Sequence, residues 1–198
     1  MGLICTLTGC DFGSSAGGGS SGPQRVLVMG DSISGATNYP GVPPWPSLLQ
    51  ANEPEWTIIN SAKAGEKMEE GASRLPGQLS AHSPESVVIF YGSNNAIQGD
   101  TASFEGALRA AIQASRDYST VNRVVVCTIP RMFGAREIYN GRVEALNATI
   151  RTVVGQEGAV LANVAAEFGP EDEALFPDGL HPNLDGQTII SANVRSRL

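Results

Sequence analysis

Ser32 stands in Gly30-Asp31-Ser32-Ile33-Ser34, directly after the β-rich run Val26-Leu27-Val28-Met29. His181 stands three residues after Asp178, in Asp178-Gly179-Leu180-His181-Pro182. A serine hydroxyl is a weak nucleophile until a neutral imidazole takes its proton, and the imidazole works when a carboxylate fixes its tautomer. Ser32, His181 and Asp178 supply one residue for each role, and the three-residue spacing can turn carboxylate and imidazole toward one point. The chemistry this would give is hydrolysis of acyl esters. Taken singly, each string has a plainer reading. Gly-Asp-Ser suits a turn with Asp31 or Ser32 as a helix N-cap, and His181 suits a capping or core position at a helix start.

Acyl transfer also needs donors aimed at the developing oxyanion. Two further loops follow β-rich runs and can provide them. Ser61-Ala62-Lys63-Ala64-Gly65 offers a backbone N–H at a glycine, where a substrate can come close. Tyr91-Gly92-Ser93-Asn94-Asn95 offers a side-chain amide at Asn94. With the Ser32 N–H, these make a candidate oxyanion hole of Ser32, Gly65 and Asn94.

The elements that must position these residues follow from periodicity. Strands are predicted at residues 25–29, 56–60, 86–91, 123–128 and 159–163, each rich in Val, Ile or aromatic side chains. Helices are predicted over 101–118, with Thr101 as N-cap, over 144–154, and over 184–197. Alternation of short apolar strands with longer helical segments predicts an α/β fold, a parallel sheet covered by helices. In such folds ligands sit at the carboxyl edge of the sheet, where Ser32 is delivered.

Together these strings resemble the SGNH or GDSL hydrolases, named for Ser, Gly, Asn and His in four ordered blocks. Ser32 matches the nucleophile, Gly65 the oxyanion glycine, Asn94 the oxyanion asparagine, and Asp178 with His181 the Asp-x-x-His pair, over a stretch from about Val26 to the C-terminus. The resemblance implies a three-layer sandwich with a five-stranded parallel sheet in flavodoxin-like order 2-1-3-4-5 and helices on both faces. It also implies a serine esterase that works without cofactor or metal. Two departures stand out: Asn95 occupies a position where many members carry Asp, and Gly65 lies in the uncommon context Lys63-Ala64-Gly65-Glu66. Ser34 stands where the Gly-x-Ser-x-Gly elbow of the α/β-hydrolases needs its last glycine, which disfavours that neighbouring fold. The family spans lipases, lysophospholipases, thioesterases and carbohydrate O-deacetylases, so the expected partner is a small-molecule or glycan acyl ester. A reading from another class is a glycan-binding module of the same fold that docks sugars through Trp45 without turnover.

Composition narrows the alternatives. The 198 residues are 41% apolar, enough for one substantial core, and the formal net charge of -7 disfavours nucleic acid as a partner. Cys5, Cys10 and Cys127 are too scattered for a closed zinc site, and Cys127 sits in an apolar run as a small buried hydrophobe. Residues 1–24 read as a separate segment ahead of a hydrolase domain at 25–198. Leu7-Thr8-Gly9-Cys10 resembles a bacterial lipobox, and nine of the ten residues from Gly13 to Gly22 are Gly or Ser, a flexible tether. An exported lipoprotein anchored through Cys10 or a secreted protein is expected on that reading. An expression tag or a frayed terminus on a cytoplasmic protein is the plainer one. His82 reads as a surface residue in a turn, and Glu66, Glu69 and Glu70 as dipole complements in a first helical turn. Tyr39, Trp45, Met132 and Phe133 are candidates to line an acyl pocket, although Trp45 beside Pro46 and Leu48-Leu49 suits plain core equally well.

Overall fold

The structure is a computed structural model and describes residues 24–35, 39 and 41–198. The lipobox-like segment, Cys5, Cys10 and the Gly/Ser tether lie outside the described residues.

Five strands form one parallel sheet: β1 (Arg25–Gly30), β2 (Thr57–Asn60), β3 (Ser86–Phe90), β4 (Arg123–Cys127) and β5 (Val160–Ala162), in the order β2-β1-β3-β4-β5. The order and the all-parallel sense are those implied by the family resemblance. Near-continuous Val/Ile/Leu runs make the central strands because both of their faces are covered. Alternate residues serve different cores: Val26 and Val28 face one side of the sheet, Leu27 and Met29 the other.

On the Leu27 side pack α2 (Met68–His82), the short α3 (Ser93–Gln98), α4 (Phe104–Arg116) and α5 (Asn140–Glu157). The stripe Phe104, Leu108, Ala111 and Ile112 is the buried face of α4. On the Val26 side pack α1 (Trp45–Asn52) and α6 (Leu184–Arg195), through Trp45, Leu49, Ile190 and Val194. The result is the expected three-layer sandwich. Among the described residues no helix is long and apolar enough to cross a membrane.

Several sequence expectations are corrected. Helix α4 begins at Phe104 rather than at a Thr101 cap, because the Ser103 hydroxyl that precedes it donates instead to Glu69 Oε1 at 2.6 Å. Trp56 lies just outside β2 with its ring buried. His82 is the half-buried last residue of α2, not a turn residue; the turn is made by Ser83, which takes the left-handed conformation at φ 43°. Glu69 and Glu70 do lie in the first turn of α2, but Glu66 precedes the helix and is only 9% exposed. Cys127 is buried in β4, and burial pushes its thiol far above the ordinary range, as expected of an inert core residue.

Candidate active site

Ser32 follows β1, Gly65 follows β2 and Asn94 opens α3 after β3. These are three adjacent strands of a parallel sheet, so their carboxyl ends deliver the three residues to one edge. His181 comes to that edge from the loop ahead of α6, 149 residues after Ser32.

The turn after β1 is built by Asp31 rather than by a helix cap. Its carbonyl accepts from the Ser34 and Gly35 N–H groups, and its Oδ1 accepts from the Ile33 N–H at 3.0 Å. Its other oxygen, Oδ2, is buried and meets no hydrogen-bond geometry among the described residues. Burial pushes the Asp31 carboxyl up to about 6, and the Ile33 N–H, the Ser93 side chain and the nearby His181 offset this only in part. Trp45 and Gln187 hold the turn from outside. The Trp45 indole donates to Ser34 Oγ at 3.0 Å, Gln187 Oε1 accepts from the Trp45 backbone N–H at 2.8 Å, and Gln187 Nε2 donates to the Ile33 carbonyl at 3.3 Å.

The loop bearing His181 is shaped by Gly179, which adopts φ 78°. A Cβ there would lie 2.4 Å from the Phe133 carbonyl oxygen, so only glycine fits. This bend folds Asp178 back on its own successors. Asp178 Oδ1 accepts from the Leu180 and His181 backbone N–H groups at 3.0 and 2.7 Å, and Oδ2 lies 2.7 Å from His181 Nδ1. Burial works against the Asp178 charge, yet the hydrogen bonds from the His181 ring and from those two backbone N–H groups outweigh it and hold the carboxyl at about 2. An ionised carboxylate only accepts, so Nδ1 carries a proton, and in the neutral ring Nε2 is then the acceptor. Ser32 Oγ is 2.8 Å from Nε2, placed to donate to it. Arg136 Nη1 donates to the Asp178 carbonyl at 2.9 Å, tying the loop to the turn at Gly134–Tyr139.

Gly65 has φ 79° and open space where a Cβ would stand. Asn94 Nδ2 donates to the Glu66 carbonyl at 3.0 Å, which joins the second and third blocks. The first and second are joined by Asn60, whose amide donates to the Ser34 carbonyl at 2.7 Å, and by the Lys63 N–H, which donates to the Gly30 carbonyl at 2.8 Å. Asn95 is fully buried. Its Oδ1 accepts from the Met68 N–H at the start of α2, and its amide donates to Glu69 Oε2 and to the Asp100 carbonyl, both at 2.9 Å. An aspartate at this position would face the Glu69 carboxylate, so the amide suits its surroundings.

The pocket candidates separate. Trp45, Met132 and Phe133 are buried to 1% exposure or less, and Tyr39 is half-buried. With Trp45 enclosed between α1, α6 and the Ser32 turn, docking of glycans through its ring is ruled out. Phe133 stacks on Phe176 with ring centroids 5.0 Å apart and helps line a cavity of about 460 Å³ beside Asp178, together with Arg136, Glu173 and Gly179. Sequence reasoning missed Asn60, Glu66, Arg74, Arg136 and Gln187 as site scaffolding. Gly179, inside the Asp-x-x-His string, was the one visible signal of that kind.

A family model for the GDSL-like Lipase/Acylhydrolase family matches residues 28–189. The esterase TesA of Pseudomonas aeruginosa is 30% identical over 177 residues, covering 86% of each chain. Thioesterase 1/protease 1/lysophospholipase L1 of Escherichia coli (strain K12) is 26% identical over 171 residues, 85% of this chain and 80% of that protein. A crystal structure of TesA superposes with a TM-score of 0.75 at 28% identity, spanning 88% of this chain and 98% of that one. With the family model covering most of the sheet and all four blocks, the chain belongs to the GDSL-like lipase/acylhydrolase family.

Proposed function

We propose that the protein is a serine hydrolase of carboxylic esters, with Ser32 as nucleophile, His181 as general base and Asp178 as the group that orients and stabilises the imidazolium. The observation that carries this reading is the continuous proton-transfer line of Ser32 Oγ, His181 Nε2 and Nδ1, and Asp178 Oδ2, with 2.8 and 2.7 Å between partners. Ser32 Oγ adds to the ester carbonyl carbon as its proton passes to Nε2. The carbonyl oxygen becomes an oxyanion, received by the Ser32 and Gly65 backbone N–H groups and the Asn94 amide. Collapse of the tetrahedral species expels the alcohol, which takes the proton from Nε2. Water then attacks the acyl-serine with His181 again as base and frees the carboxylic acid.

Small or single-chain acyl groups suit a short domain with no inserted lid among its described residues. The names of the relatives put thioesters and lysophospholipids beside simple esters on the test panel. Labelling with a fluorophosphonate probe tests the serine assignment. Wild-type protein takes up one equivalent at Ser32, and Ser32→Ala takes up none. Wild-type protein that stays unlabelled and leaves p-nitrophenyl acetate, butyrate and octanoate intact ends the proposal. Export as a lipoprotein is a separate proposal resting on the Leu7–Cys10 string and the tether that follows. Mass spectrometry of protein from a bacterial host decides it, and an unmodified Cys10 with residues 1–9 retained overturns it.

A further inference from the structure

We infer that Glu66, clamped by Arg74 and Tyr91, is a positioning residue that sets the Gly65 peptide and the Asn94 amide as a fixed pair of oxyanion donors. The inference rests on the serine-hydrolase reading above and names residues that the four blocks leave out. Gly65 is exposed, lacks a side chain and has nothing within 4 Å of its missing Cβ, so no packing holds it from its own side. Its place is set from Glu66. The Glu66 carbonyl accepts from Asn94 Nδ2 at 3.0 Å. The Glu66 carboxylate meets a two-pronged guanidinium: Arg74 Nε donates to Oε1 at 2.9 Å and Nη2 to Oε2 at 2.6 Å. Tyr91 OH donates to the same Oε2 at 2.6 Å.

Arg74 also donates from Nη2 to the Ser61 carbonyl at 2.7 Å. One side chain of α2 thus grips both ends of the 61–66 loop, while Tyr91 anchors it to the end of β3. Gly71 makes room for this: a Cβ there would lie 2.5 Å from Tyr91 Cζ. Burial opposes the Glu66 charge, but Arg74 and then Tyr91 outweigh it, and the carboxyl stays below its ordinary range. A buried ion pair is a weak source of stability, because desolvation cancels most of the attraction. Its value here is geometric: the fork fixes direction as well as distance. Arg74 also neutralises a carboxylate that would otherwise oppose negative charge building at the neighbouring donors.

Steady-state hydrolysis of p-nitrophenyl butyrate by full-length Glu66→Gln and Tyr91→Phe tests the inference, with each change repeated in Asn94→Ala. Tyr91→Phe removes one hydroxyl and keeps the ring, so it reports even where Glu66→Gln fails to fold. In the wild-type background kcat falls roughly 10- to 100-fold with KM within about 2-fold, the scale expected of a misplaced catalytic group. In Asn94→Ala the same change costs several-fold less than in the wild-type background, because of the two donors that Glu66 sets only the Gly65 N–H is left to misplace. Wild-type kcat in both variants, or a full additive loss in Asn94→Ala, overturns the inference while leaving the serine-hydrolase reading intact. Inactive, unlabelled wild-type protein sinks the parent reading instead.

Discussion

The proposed proton relay would use the two hydrogen bonds Ser32–His181 and His181–Asp178, and each depends on a protonation state that a single substitution changes. Asp178→Asn keeps the shape but donates where the carboxylate accepted, which favours the wrong imidazole tautomer. A fall in kcat of roughly 10⁴-fold is expected, measured with p-nitrophenyl butyrate. Asn94→Ala removes one of the proposed oxyanion donors, and kcat is expected to fall about 10²–10³-fold while fluorophosphonate still titrates one serine, more slowly. Asp31 makes a prediction about stability. Its carboxyl is held near 6 when folded, against 3.8 ordinarily, so between those values the folded chain binds more protons than the unfolded one. Stability attributable to Asp31 is therefore highest below about pH 4 and is lost as pH rises through 6, by on the order of 3 kcal/mol at most. Thermal melts of Asp31→Asn should show a smaller fall in Tm between pH 4 and pH 7 than the wild type; equal falls refute it. At this scale the sequence was most legible where chemistry restricts residue type. Ser32, Asp178 and His181, which the fold brings together, have few substitutes in the roles proposed for them, and their strings stand out. Glu66 was not legible, because an acid near a helix start is usually a solvated dipole complement and only the three-dimensional approach of Arg74 and Tyr91 says otherwise.

Elements follow from local patterns until a neighbour intervenes. All five strands were readable from their apolar runs, with ends displaced by a residue or so where loops take over the hydrogen bonds. Helix α2 was legible only at its first turn, through Glu69 and Glu70; its span was not, because Pro76 interrupts the pattern, and its start is fixed from outside by Asn95, which accepts from the Met68 N–H. The Thr101 cap was misread for a similar reason, since Ser103 next to the helix bonds to Glu69 on α2. Gly71 shows the same dependence in energetic form. Alanine in the middle of a helix is ordinarily favoured over glycine by roughly 0.5–1 kcal/mol. At position 71, however, the added methyl would press 2.5 Å from the Tyr91 ring, an overpacking that costs roughly 1–3 kcal/mol. Gly71→Ala is thus expected to lower Tm, and to lower kcat with it because Tyr91 must move; a raised Tm would show that α2 is free to shift.

At the scale of the molecule, the Ser32–His181–Asp178 line joins the first strand to the loop before the last helix, so it exists only when nearly the entire described chain is in place. The unfolding midpoint in urea should therefore be the same by Trp fluorescence and by residual esterase activity, and activity lost well before the fluorescence change would separate the His181 loop from the rest of the fold. The sheet order has another consequence. β1 lies between β2 and β3 with its main chain bonded on both sides, whereas β2 and the three-residue β5 are the open margins. Deuterium should then enter the margins first and reach the Val26–Met29 amides last. The strand that leads into Ser32 would outlast the rim around it, and local breathing at either edge would leave the proposed nucleophile standing on a rigid base.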